Sequence, residues 1–272
     1  MSKSTEQSIK QKLSNISRDE KIPFNRLLDN LFLERFLARL ALSSYKDKLI
    51  FKGGMCLAQF INLGRETKDI DFLLTSINSN QETISKIISE VAQIDAKDDF
   101  VFTLKEVSIL SLVHKKYPGF RITLEGKLGQ IKNKVSIDIG VGDVVRPRFI
   151  DVELMKSKVP IFEDKISLYS YPPEYIFSEK LEAILHHGEL NSRMKDYFDC
   201  YEMIIQKVLD DNTLKTSLHE TTSNRGTPLT KIPVDTSAFD QLWKAFLKKN
   251  KIDNLDLDHI IKTINQKLEK II

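Results

Sequence analysis

Cysteine is nearly absent from this 272-residue chain, which holds two, Cys56 and Cys200. Each sits in an apolar-periodic setting, which argues against a disulfide and predicts buried free thiols in a reducing cytosol. Long hydrophobic runs are missing as well. No stretch approaches the roughly eighteen apolar residues of a membrane span, and the polar start over residues 1–12 lacks a signal peptide's apolar region. A cytoplasmic protein with no membrane partner is therefore expected. Charge of one sign is also lacking: the net charge is +3, too small to establish a nucleic-acid partner by itself. No internal repeat is visible. What is present is ordinary for a globular chain, 41% hydrophobic and 29% charged residues, long enough to bury a sizeable core as one large domain or two modest ones.

The informative stretch begins at Leu49-Ile50-Phe51-Lys52-Gly53-Gly54 and continues to Arg65-Glu66-Thr67-Lys68-Asp69-Ile70-Asp71-Phe72-Leu73-Leu74. An apolar run leads into a glycine pair, then an apolar-periodic segment, then a second apolar run with two aspartates. The order reads as strand, turn, helix, strand. On a strand, Asp69 and Asp71 point to one face and Ile70 and Phe72 to the other. Two carboxylates on one face repel each other, and a divalent cation such as magnesium is the usual remedy. A glycine pair ahead of a helix lets backbone N–H groups approach a phosphate. One unit thus offers a phosphate cradle and a metal site, the equipment of a nucleotidyltransferase.

Elsewhere the pattern predicts helices over Glu6–Ile16, Phe24–Leu42 and Gln81–Ala96. The second has a wide apolar face, with Arg26, Arg35 and Arg39 mostly on the other side. Strands follow at Phe100–Glu106, Arg121–Lys127 and Lys132–Ile139. In the last of these, Val135, Ile137 and Ile139 alternate with Ser136 and Asp138, so Asp138 offers a third carboxylate on a strand, as two-metal phosphoryl chemistry needs. Pro172-Pro173 marks a change of texture, after which strands stop. Helices are expected at Glu174–His187, Arg193–Leu209, Ala238–Lys248 and Leu257–Ile271, with a polar loop over Thr221–Thr236. Asp196 and Asp199 share a helix face. Adjacent His186 and His187 point about 100° apart on a helix and suit its C-terminal dipole better than a shared ion. The reading is an α/β catalytic domain over residues 1–170 and a helical domain over 171–272.

With these residues in view, the sequence resembles the AbiEii/AbiGii toxin family, nucleotidyltransferase-like toxins of bacterial type IV toxin–antitoxin and abortive-infection systems. The likeness covers nearly the whole chain. Phe24-Asn25-Arg26-Leu27-Leu28 and Leu33-Glu34-Arg35-Phe36-Leu37-Ala38-Arg39-Leu40 look like the family's opening helix. Phe51-Lys52-Gly53-Gly54 with Arg65-x-Thr67-x-Asp69-Ile70-Asp71-Phe72 is its most specific signature. Ser178-Glu179-Lys180-Leu181-Glu182-Ala183 and Lys195-Asp196-Tyr197-Phe198-Asp199 match its lysine and aspartate motifs. Arg225-Gly226-Thr227-Pro228 and the Trp243–Phe246 helix have counterparts near its C-terminus.

The resemblance implies a polymerase-β-type nucleotidyltransferase core with a mixed sheet, followed by a helical C-terminal domain. It implies that Asp69 and Asp71 hold magnesium, with manganese as a substitute, and that Lys52, Gly53, Gly54, Arg65 and Thr67 form the nucleotide-binding loop. Lys180 would contact the triphosphate, offsetting charge on the pyrophosphate leaving group. Asp196 would complete the site, with Asp199 one turn on as the competing candidate. One departure is plain: many nucleotidyltransferases have Gly-Ser, whereas Met55 follows Gly53-Gly54 here, leaving the phosphate to backbone N–H groups.

The expected reaction transfers a nucleoside monophosphate from an NTP to an acceptor hydroxyl, with Asp69 and Asp71 binding the metal and Asp138 helping the metal or the base at the acceptor. The family points to tRNA 3′ ends in some members, a modification that would arrest growth. Lys115, Lys116, Arg121, Lys127, Lys132, Lys134, Arg146 and Arg148 crowd one section, enough for a phosphate-tracking face. The expected partners are an NTP, a tRNA or other RNA, and a cognate antitoxin; a monomer is expected. Two alternatives remain at this level. One is the same chemistry on a protein or small-molecule acceptor, and the other is a non-catalytic nucleotide- or antitoxin-binding module.

Overall fold

The structure is a computed structural model that describes residues 3–77, 79–110, 118–155, 160–233 and 236–272. The chain forms two compact units. The first comprises Met1–Gln59, Lys68–Gly142 and Pro147–Ser170; the second comprises Phe60–Thr67, Asp143–Arg146 and Tyr171–Ile272. The change of texture at Pro172-Pro173 falls beside this division, but two short segments from earlier in the chain pack with the C-terminal part.

A seven-stranded mixed sheet forms the centre of the first unit. Its strands are β1 (Leu49–Lys52), β2 (Ile70–Leu74), β3 (Phe100–Leu110), β4 (Gly119–Leu128), β5 (Ile131–Val141), β6 (Arg148–Val152) and β7 (Ile166–Ser170). Their order is β3-β4-β5-β2-β1-β7-β6. The β2–β5 and β1–β7 pairs are parallel and the others antiparallel. Strands β6 and β7 were not anticipated. Each is five residues long and lies near or at the edge, too short for alternation to stand out from its surroundings.

Alternation decides which face of the sheet is covered. Phe120, Ile122, Leu124 and Leu128 of β4 and Val135, Ile137 and Ile139 of β5 are buried. The residues between them, Arg121, Thr123, Glu125, Ser136 and Asp138, point the other way. The buried face packs on α2 (Phe24–Leu42), which contacts β3, β5 and β7. Phe32 of α2 meets Phe100 edge-on at 4.9 Å, and Phe36 meets Phe102 at 5.9 Å. The Phe32 ring sits so close to β4 that a Cβ on Gly126 would lie 2.5 Å from it. Helix α1 (Lys3–Glu20) packs on α2, and α4 (Gln81–Ala92) packs on β3, ending four residues short of the expected boundary.

The arginines of α2 overturn one expectation. Arg35 and Arg39 are 1% and 2% exposed and face the interior. Arg39 forks onto both oxygens of Asp98 at 2.8 and 2.6 Å and donates to the carbonyls of Phe100 and Arg35. Arg35 reaches Asp164 at 2.8 Å and lies 4.2 Å from the centre of the Phe162 ring. Carboxylate, carbonyl and ring take up most of each buried guanidinium, although the Nε of both Arg35 and Arg39 is left without a hydrogen-bond partner. Hydrophobic periodicity cannot distinguish such a pair from a solvated one.

Within the second unit lie α5 (Pro173–His187), α6 (Met194–Ile205), α7 (Asp211–Arg225), α8 (Asp240–Asn250) and α9 (Leu257–Glu269). Helix α7 corrects the expected loop over 221–236: its last turn runs through Arg225, and the non-helical stretch starts at Gly226. Asp210 caps its start by accepting from the Thr213 N–H at 2.9 Å. The inward residues of α7 are Leu214, Ser217, Leu218, Thr221 and Thr222. Only two are apolar, so the helix leaves almost no hydrophobic period in the sequence. Small hydroxyls let it approach α5 closely, with Ser217 and Ser178 oxygens 2.8 Å apart. Both cysteines are buried free thiols.

The Arg39–Asp98 pair yields a stability prediction. Removing one partner of a buried pair strands the other, at about 3–5 kcal/mol. Asp98→Ala should lower the unfolding free energy by that amount, read as a lower urea midpoint at unchanged slope. An Arg39→Met, Asp98→Leu double variant should lose clearly less. Equal losses in both would mean that the pair itself does not carry the effect.

Candidate functional site

Four charged residues in the first unit fall in one row across four adjacent strands. Arg121 on β4 is opposite Asp138 on β5, Asp138 is beside Asp71 on β2, and Asp71 is opposite Lys52 on β1. Directly paired residues share a face of the pleat. The row therefore reads plus, minus, minus, plus on the face away from α2. Arg121 forks onto Asp138 at 2.8 and 2.7 Å. The Asp138 pairing, with smaller contributions from Asp69 and Asp71, raises the arginine's proton affinity further. Asp69 lies just outside β2, one residue before its start, and is exposed. It is at the strand's entrance rather than on the strand, two residues from Asp71.

The glycine turn and the aspartate are built around each other. Gly53 has φ +74°, and a Cβ there would lie 2.0 Å from Asp71 Oδ2. Only glycine permits both the left-handed backbone and the carboxylate's approach. Helix α3 (Gly53–Leu57), which follows, is five residues long. Its dipole is correspondingly limited, and Gly54 is buried while Gly53 is half-buried.

The donor chemistry of this row fits a hard divalent cation: two carboxylates side by side on parallel strands, with Asp69 next to them. A preformed three-carboxylate cage is not there, because both oxygens of Asp138 are taken by Arg121. Among the described residues, no three His, Cys, Asp or Glu side chains are gathered for a metal. That includes His186 and His187, which sit in the last turn of α5 with their rings edge-on at 5.3 Å.

The second unit holds a separate ionic cluster. Lys180 of α5 reaches Asp196 at 2.9 Å and Asp199 at 2.7 Å, both on α6. Arg65 forks onto Asp199 at 2.6 and 2.5 Å, and Arg193 donates to Asp196 at 2.7 Å. Both aspartates have 0% exposure. Burial disfavours the Asp196 carboxylate, yet Lys180 and Arg193 outweigh it and bring the pKa down to about 2. Burial likewise opposes the Lys180 ammonium, and Asp196 and Asp199 overcome it, so the lysine stays firmly charged. Three cations against two carboxylates leave the cluster net positive. Asp196 and Asp199 are thus both engaged in holding Lys180. Arg65 is fixed here because residues 60–67 are tied to α6, with the Gln206 side chain bonding both the N–H and carbonyl of Asn62. Thr67 is half-buried at the end of that segment.

A family model described as nucleotidyl transferase AbiEii toxin, type IV toxin–antitoxin system, matches residues 35–270. The chain belongs to the AbiEii family. Membership makes it a nucleotidyltransferase toxin of a type IV toxin–antitoxin system and implies a cognate antitoxin. Two solved structures are similar to it. JHP933 from Helicobacter pylori shares 15% identity at TM-score 0.49, covering 91% of each chain. A candidate nucleotidyltransferase from H. pylori also shares 15% identity at TM-score 0.49, covering 92% of this chain and 96% of its own. No curated protein matches the chain. Among the described residues, no helix is long and apolar enough to cross a membrane.

The structure gives the AbiEii chain's C-terminal motif a mechanical role. Arg225 donates to Glu182 at 2.6 Å and to Asp143 at 2.9 and 3.0 Å, while Thr227 donates to Glu182 at 2.6 Å. The motif therefore fastens the end of α7 and the 143–146 segment to α5. Sequence reasoning did not single out Arg193, and it read Arg121 only as part of a basic stretch, not as the partner of Asp138. Arg121 acquires its partner through strand register, whereas Arg193 pairs with Asp196 three residues on, at the start of α6, a local spacing the sequence did show.

Two predictions test these arrangements. Gly53→Ala should keep the fold at a cost of about 1–2 kcal/mol and displace Asp71, cutting nucleotidyl transfer by about 100-fold. Unchanged activity would show that the turn does not set the carboxylate's position. The depressed Asp196 pKa, about 2 against an ordinary 3.8, means stability present above pH 4 and lost as pH falls toward 2. In Asp196→Asn, the acid limb of the stability–pH curve should flatten by about 2 kcal/mol in that window.

Proposed function

We propose that the chain transfers a nucleoside monophosphate from an NTP to a hydroxyl of an RNA acceptor, a tRNA 3′ end being the acceptor that arrests growth. The observation that carries this reading is the side-by-side placement of Asp71 and Asp138 on parallel strands, beside the Lys52-Gly53-Gly54 turn and with Asp69 at the strand's entrance. It also supports a polymerase-β-type core, with the helices after residue 170 as a helical C-terminal domain. Magnesium, or manganese in its place, would be held by Asp69 and Asp71 and by Asp138 once Arg121 releases it, supplying positive charge to the triphosphate.

The chain's own residues do the rest by positioning and charge. Backbone N–H groups of the Gly53-Gly54 turn cradle phosphate oxygens, and Lys52 adds a cation at the end of the row. The acceptor oxygen attacks the α-phosphorus as its proton passes to Asp138, and pyrophosphate leaves as the bond to its bridging oxygen breaks. Freed from Asp138, Arg121 can turn to an anionic phosphate, for which its planar fork is suited. Lys180 offsets charge on the pyrophosphate, with Asp196 and Asp199 keeping its ammonium charged and Arg65 braced beside it. The working state is a cytoplasmic monomer.

Purified protein, magnesium, each labelled NTP in turn and total bacterial RNA form the test, beside an Asp69→Ala control. Label in a tRNA-sized band, reduced at least 100-fold in the control, is expected and would name the nucleotide. Label in a polypeptide instead moves the acceptor to protein. NTP binding with no transfer to any acceptor would leave a binding module as the better reading.

A further inference from the structure

The open face of the sheet continues beyond the charged row into a basic hollow. Its volume is about 310 Å³, and it is lined by β3, β4 and β5, including Lys105, Lys132 and Lys134. Glu125 is the one carboxylate among its lining residues. Lys105 sits on a β-bulge between Leu104 and Glu106, where the extra residue re-aims its side chain. It reaches Glu125 at 3.3 Å, and Lys127 reaches the same carboxylate oxygen at 3.1 Å. Lys132 and Lys134 are exposed and make no ion pair among the described residues. The basic stretch read from the sequence is thereby sorted. Arg121 is spent on Asp138, Arg146 pairs with Glu220 in the second unit, Arg148 lies on β6 at the far edge, and Lys115 and Lys116 fall outside the described residues.

We infer that this hollow is the docking surface for the backbone of the acceptor RNA, a reading that rests on the RNA transfer proposed above. Charge complementarity favours a polyanion: three lysines line the hollow against one carboxylate, and two of them make no ion pair among the described residues. Continuity favours the acceptor over the nucleotide. Lys132, Lys134, Ser136 and Asp138 follow one another at every second position of β5, so the lysines share the face of the carboxylate row. At about 3.3 Å per residue they stand roughly 13 and 20 Å from Asp138, too far for the same NTP's phosphates. A stacked strand rising about 3.4 Å per nucleotide would bring phosphates over these lysines roughly four to six nucleotides from its reacting end. Contacts of this kind fix register without reading sequence. An RNA with a continuous stacked 3′ arm is the substrate class that fits.

The test uses Lys132→Gln, Lys134→Gln in the full chain, with two RNAs sharing one 3′ sequence, twelve and three nucleotides long. Binding is measured by fluorescence anisotropy without NTP, so the result does not depend on whether transfer occurs. The wild-type chain should bind the longer RNA about tenfold more tightly than the double variant does, with no difference on the short one. Removing two phosphate contacts should also reduce the slope of log affinity against log salt by about 1.4. Equal affinity and slope for wild type and variant would overturn the docking surface while leaving transfer untouched. A wild-type chain that binds both lengths alike would overturn it too. Matching thermal melting curves exclude misfolding as the cause.

Discussion

Two carboxylates held side by side on neighbouring parallel strands impose the central constraint. At roughly 5 Å and an effective dielectric near 20, two such charges repel by about 3 kcal/mol. Strand register places Asp71 and Asp138 in this position. Relief comes from the flanks: Arg121 grips Asp138, and Lys52 stands opposite Asp71. The row is thus a balanced set of charges in which an arginine occupies the place that substrate-bound cation chemistry would need.

Elsewhere the molecule solves the same problem repeatedly. Buried charges occur as forks and clusters in which each guanidinium or ammonium meets more than one carboxylate or carbonyl. Arg39 with Asp98, Arg225 with Glu182 and Asp143, and Lys180 with Asp196 and Asp199 all follow this pattern. Such pairs add little net stability over an apolar packing, yet they penalise every alternative arrangement that would leave one member alone. They fix where α2, α5, α6 and α7 lie within their units. In the second unit, a lysine held between two aspartates keeps its charge and its place.

Legibility followed physical range. The Gly-Gly turn, the alternation of β4 and β5, and the apolar faces of α2, α4 and α9 are local signals of period two or 3.6, and the sequence displays them openly. Asp69, Asp71, Lys180 and Asp196 stand out in short motifs, and Asp138 through the alternation of its strand. Helix α7 was hidden because its buried stripe is serine and threonine. Arg35 and Arg39 were misplaced because a buried arginine and a solvated one leave the same letter at the same helical position. Strands β6 and β7 were too short to carry a period.

Sequence alone determined the chemistry on offer: carboxylates on strands after a glycine turn, a lysine and two aspartates on later helices, and a family signature that joins them. Tertiary structure decided the pairings. That Asp138 stands next to Asp71, that Arg121 covers it, and that Lys132 and Lys134 share its face follow from parallel and antiparallel registers between strands distant in the chain. Register is set by burying one face of the whole sheet at once, a cooperative choice that no single segment encodes.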